Sequence, residues 1–180
     1  SERNGGKGSP SSKSISNGLD CGSGNMASRI SDCTAINTVT HSVSNVAFKS
    51  AHNKYLVAEG NGGDQVNANR SAIGSWETFN MELLSSGTCI TNGATVAVNT
   101  QGNHYLRATS GGDLDAKASV VGSWEQLILV NHSDGSGCLA SGDSISLKSA
   151  HNKYLVAESN GNANANRSAI GSWEKWTVAF

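Results

Sequence analysis

The chain has 180 residues, 37% of them apolar and only 15% charged, with a formal net charge of −1. A field this close to neutral excludes recruitment to nucleic acid or to an anionic membrane surface through overall charge, and no apolar run approaches the roughly 20 residues of a membrane helix. Twenty-one glycines and a single proline, Pro10, suit short strands joined by many tight turns.

Residues 1–20 are rich in Gly and Ser and lack periodicity, the composition of a flexible leader or linker. They also lack the basic start and apolar stretch of a signal peptide, so the sequence reads as a mature chain or an excised module. Residues 21–41 carry scattered apolar side chains (Met26, Ile30, Ile36, Val39) and two cysteines, and are expected to pack on the body as an N-terminal arm.

From Val46, within a body expected to span 42–180, the pattern becomes regular. A first strand includes Val46, Phe48 and Lys49; His52 to Lys54 make a turn; Tyr55 to Ala58 form a second strand; and Gly60 to Asp64 reverse the chain. Val66 and Ala68 then alternate with Asn67 and Asn69, and after a turn at 72–74 a fourth strand runs from Trp76 through Phe79, Met81 and Leu83. Most of 49–77 returns at 148–174, with a looser copy at 99–125. Repeats of about 42–90, 91–139 and 140–180 follow, the later fourth strands being expected at 124–130 and 173–180. A unit this short cannot bury its own apolar face, so the three must close on one another. Four strands in three copies, without helical periodicity, predict an all-β, twelve-stranded closed structure with pseudo-threefold symmetry. Leu56, Leu106 and Leu155 should be buried equivalently.

The element HNKYLVAE, followed by VNANRSAIGSWETFNMELL, resembles the repeat of fascin-like β-trefoils, and the resemblance covers 42–180 in all three units. It implies a β-trefoil fold. The family includes actin-bundling proteins, the histidine-rich hisactophilins and modules attached to secreted polysaccharide-degrading enzymes.

Tyr55, Tyr105 and Tyr154, with Trp76, Trp124 and Trp173, have the shape of sugar-stacking platforms, but aromatics present in every unit are expected to be core. Glu77, Glu125 and Glu174 follow those tryptophans, and their threefold repetition predicts a structural hydrogen bond rather than catalysis. More telling are polar groups of the near-identical units: His52, Asn53, Lys54, Glu59, Asn67, Asn69 and Arg70, matched by His151, Asn152, Lys153, Glu158, Asn164, Asn166 and Arg167, of which only the Asn53 position keeps its residue in the middle unit, as Asn103. Such side chains on the turns of a rigid barrel can bind glycan hydroxyls, and Arg or Lys a carboxylate or sulfate. Recent duplication is the competing explanation. The middle unit departs at Gly102, Thr109, Lys117 and Ala118. Five histidines, His41, His52, His104, His132 and His151, are too scattered to imply a metal site, and no P-loop, G-x-S-x-G or H-E-x-x-H motif supports an enzyme. No cofactor is expected.

Four cysteines, Cys21, Cys33, Cys89 and Cys138, without C-x-x-C pairs, favour two disulfides and secretion over the alternative of four unconnected thiols in a cytosolic protein. Cys89 and Cys138 fall at the connections between units, expected to gather at one barrel end where the arm also arrives. Local closure of Cys21 with Cys33 leaves Cys89 to pair with Cys138 across that mouth, whereas the crossed pairings staple the arm over it. Either way a ligand is left the side or the opposite end. The reading is a secreted, non-catalytic, lectin-like β-trefoil that binds a polysaccharide or other glycan, bivalently through units one and three. The alternatives are a cytoskeletal protein with actin as partner, or an adhesive or toxin-associated module that recognises protein. Nucleic acid binding and membrane insertion are not expected.

Overall fold

A computed structural model describes residues 39–180. The leader and nearly all of the arm, with Cys21 and Cys33, lie outside the described residues.

Twelve strands follow one another, every pairing antiparallel: β1 (His41–Lys49), β2 (Tyr55–Ala58), β3 (Val66–Arg70), β4 (Phe79–Leu83), β5 (Thr95–Thr100), β6 (Tyr105–Ala108), β7 (Leu114–Ala118), β8 (Leu127–Asn131), β9 (Ser144–Lys148), β10 (Tyr154–Ala157), β11 (Ala163–Arg167) and β12 (Trp176–Ala179). Six of them, β1, β4, β5, β8, β9 and β12, pair in a ring that closes when β12 meets β1 through Ala47 opposite Ala179 and Lys49 opposite Thr177. The other six form hairpins, β2 with β3, β6 with β7 and β10 with β11, hung from the barrel where Lys49, Asn99 and Lys148 face Tyr55, Tyr105 and Tyr154. This is a β-trefoil. Closure leaves the barrel no open edge.

The barrel is filled by alternate residues of its strands, among them Phe48, Phe79, Met81, Val96, Val98, Leu127, Leu129, Ile145 and Trp176. Leu56, Leu106 and Leu155 are buried at equivalent hairpin positions, as expected. Three expectations need correction. The fourth strands start at Phe79, Leu127 and Trp176, three residues after the tryptophans, because each Ser-Trp-Glu makes a 3-10 turn before the strand begins. Those tryptophans are accordingly not core: Trp76 is 40% and Trp173 37% exposed. The tyrosines are half-buried. The first strand also begins earlier, at His41, with a register shift between Val43 and Val46 where Asn45 takes a positive φ of 59°.

The hairpin tips interlock in a cycle. Gly63 donates to the Ala116 carbonyl at 2.7 Å and Ala116 returns a bond to Asp64 at 2.9 Å; Ala165 donates to Gly112 at 2.9 Å; Ala68 donates to Gly161 at 2.8 Å. Each unit thus lends its tip to the next, and the third to the first. Gly112 and Gly161 each have a φ of +93°, and a Cβ on either would press on Asn166 or Asn69, so only glycine fits there.

At the opposite mouth, β4 to β5 and β8 to β9 are joined by the connections that carry the cysteines. Cys89 and Cys138 form a disulfide with Cα atoms 5.6 Å apart, the pairing that local closure of the arm would leave. Beneath it the buried side chains of Ile90 and Leu139 plug the mouth, and Leu139 donates to the Ile90 carbonyl at 2.7 Å.

Candidate functional site

The polar groups singled out in units one and three assemble around the hairpins and the Ser-Trp-Glu turns. Glu77, Glu125 and Glu174 are buried, and each takes the N–H of the glycine that opens its turn: Gly74 at 2.7 Å, Gly122 at 2.8 Å and Gly171 at 2.6 Å. This is the structural hydrogen bond expected of them, half of a capping box.

In unit one, Arg70 donates to Glu59 at 2.7 Å and to Asn69 at 2.6 Å, its Nε lies 3.8 Å from Glu77, and Asn67 donates to the second Glu59 oxygen at 2.8 Å. Unit three repeats the set: Arg167 to Glu158 at 2.7 Å and Asn166 at 2.6 Å, Nε 3.8 Å from Glu174, and Asn164 to Glu158 at 3.1 Å. Lys54 and Lys153 reach Ser71 and Ser168 at 2.8 and 2.7 Å. Each cluster therefore sets two cations against two carboxylates, a formal sum of zero. The two arginine side chains keep 36 and 37% exposure, so they offer directed N–H donors without a net positive field.

Asn53 and Asn152 play a different part. Both have φ near 60°, as does Asn103 in the divergent unit, and asparagine tolerates this left-handed turn conformation. That is why this position alone keeps its residue in all three units.

His52 and His151 lie at unit boundaries. The Nε2 of His52 bonds the Ala157 carbonyl of unit three at 3.0 Å, and its ring centroid sits 4.9 Å from that of Trp173. His151 likewise bonds Ala108 of unit two at 3.0 Å and lies 5.4 Å from Trp124. Gly102 replaces the histidine at the remaining boundary because the longer turn of unit one, a 3-10 segment at Glu59–Asn61, fills the space. A Cβ on Gly102 would run into the Asn61 carbonyl, which accepts from Thr100 at 3.0 Å. Gly102→Ala is expected to cost about 1–3 kcal/mol by overpacking, measured as a fall in the denaturation midpoint.

Sequence reasoning missed the counterpart in unit two, where Arg107 closes onto Asp115 through two bonds of 3.0 and 2.8 Å with both side chains nearly buried. Arg107 for Val57 and Asp115 for Asn67 are visible substitutions, but only the β6–β7 register, which sets these two residues opposite each other, joins them. Also in unit two, Tyr105 donates to Glu82 at 2.7 Å. Burial, and then the bond to and charge of Glu82, push its hydroxyl well above the usual tyrosine range. Lys49 and Lys148 instead lie over the rings of Tyr55 and Tyr154 at 5.9 and 5.8 Å.

Among the described residues no three His, Cys, Asp or Glu side chains group to hold a metal ion, and no helix is long and apolar enough to cross a membrane.

No protein-family model matches the chain, and no curated protein matches it. Solved structures do. The SDF2-like protein of Arabidopsis thaliana superposes with a TM-score of 0.58 at 12% identity, over 78% of this chain and 95% of that one. Hisactophilin, whose structure is described as similar to interleukin-1β and fibroblast growth factor, superposes with a TM-score of 0.53 at 21% identity, over 75% of this chain and 97% of its own. Identities of this size speak to architecture alone, and they agree with the barrel and its three hairpins in making this chain a β-trefoil.

Proposed function

We propose that this chain is a non-catalytic, fascin-like β-trefoil that binds carbohydrate outside the cell through clusters in units one and three. The observation that supports this best is the pairing, in both units, of an exposed tryptophan on a capped turn with a partly exposed arginine already held by carboxylates. An indole face packs on the apolar face of a pyranose, while fixed N–H and carboxylate groups meet its hydroxyls. Groups ordered before binding lose little entropy on binding. The Cys89–Cys138 disulfide fits an oxidising compartment.

Two clusters on one rigid body make the protein bivalent toward a polymer. Arg70→Ala and Arg167→Ala are each expected to weaken binding to an immobilised polysaccharide several-fold, and the double change by far more than the product, since the second contact gains from effective concentration. Affinity electrophoresis across a panel of soluble polysaccharides, with thermal midpoints recorded for each variant, tests this. Full retention of binding by a folded double variant removes the arginines from the site. Co-sedimentation with filamentous actin and with none of the polysaccharides overturns the reading.

A further inference from the structure

We infer that the two clusters differ in affinity, and that the tighter is a composite site at the boundary of units three and one, where His52 fixes Trp173 for stacking on a neutral sugar ring. The inference rests on the glycan-binding reading above.

Two of the three boundaries lack a part that the third has, and Trp124, at the boundary of units two and three, is less exposed than Trp76 or Trp173. Between units three and one, His52 is anchored on the Ala157 carbonyl with its ring edge-on to Trp173, at an interplanar angle of 67°. The same Ser-Trp-Glu turn presents Glu174 to Arg167, whose side chain is 37% exposed. Between units two and three, His151 repeats the packing on Trp124 at 69°, but the position of the exposed arginine is Ala118, which is buried, and Arg107 is spent on Asp115. Between units one and two, Trp76 and Arg70 are present, but Gly102 supplies no ring and the Asn61 carbonyl occupies its place. A single boundary therefore combines exposed indole, exposed arginine and histidine buttress.

The buttress matters because an indole that is free to change rotamer loses that freedom on stacking. One wedged by an anchored imidazole has lost it on folding. Trp76, exposed to the same degree without a histidine beside it, is the weaker platform. The ligand is neutral because Arg167 and Lys153 are balanced by Glu158 and Glu174, so a sulfate or carboxylate would meet as much repulsion as attraction. Trp173 is the contact residue and His52 a positioning residue.

Calorimetry with neutral hexasaccharides of glucose, galactose, mannose and xylose, and with heparin and polygalacturonate hexasaccharides as anionic probes, decides the matter. The best neutral probe is expected to show two binding events about tenfold apart. Trp173→Ala removes the tighter event and Trp76→Ala the weaker. His52→Ala weakens the tighter by about tenfold and leaves the weaker unchanged, and His52→Gln, which can still reach the Ala157 carbonyl, recovers part of the loss. His151→Ala lowers the thermal midpoint as His52→Ala does, yet leaves the tighter event in place, which separates positioning from general stability. Equal affinities in the parent protein, equal effects of the two histidine changes on binding, or preference for the anionic probes overturns the composite site while leaving glycan binding intact. Binding of none of the probes removes the glycan reading itself and the inference with it.

Discussion

Cys138→Ser is expected to lower the stability of the barrel by about 4 kcal/mol, the chain-entropy value for a loop of this length. The two sulfurs join residues 49 positions apart, so the bond removes a whole repeat's worth of freedom from the unfolded chain. The folded state loses little, since Ile90 and Leu139 still plug the mouth and the Leu139 to Ile90 bond remains. Urea denaturation of parent and variant measures the difference directly. A loss below about 1 kcal/mol would mean that the apolar plug already holds the two connections together in the unfolded ensemble.

Trp176→Ala is expected to cost about 3–5 kcal/mol, as for other large buried side chains cut to a methyl group. Trp176 is 1% exposed, and its indole N–H donates to the Leu155 carbonyl at 3.4 Å. It therefore ties the barrel wall of unit three to that unit's hairpin. The positions equivalent to it hold Phe79 and Leu127, both buried, so the threefold core accepts different shapes there. Trp176→Leu is accordingly expected to cost less than the alanine change, and thermal unfolding of the pair ranks them. Equal losses would place the cost in the lost hydrogen bond rather than in the cavity.

Why Trp176 escaped notice while Trp173 drew it shows what a repeat can and cannot teach. Repetition located the units, the hairpins and the equivalent leucines, because buried positions are held to one chemical class in every copy. It misled over the tryptophans, since a residue can recur for the turn it caps as well as for the core it fills. Glu77 and its mates were readable as structural because each takes the same backbone N–H at the same spacing in its unit. The polar residues of units one and three were found but not sorted: Asn53 serves a left-handed turn, Glu59 braces Arg70, and His52 belongs with a tryptophan more than a hundred positions away. No periodicity within a unit reports on contacts between units. Only the departures of unit two hinted at them, and Gly102 makes sense once the extra length of the unit-one turn is seen beside it.

The cycle of hairpin tips bears on how the polypeptide can be made. Ala68 in the first unit bonds Gly161 in the last, His52 rests on Ala157, and β1 finds a partner in β12, the final strand. A nascent chain emerging from the ribosome thus holds its first unit without these partners until unit three has emerged. Vectorial, unit-by-unit maturation is closed to it, in contrast to solenoids whose modules rest only on the preceding neighbour. Contacts between distant residues make such closure slow. During that interval the exposed strand edges of the early units are the segments most in need of a chaperone's cover.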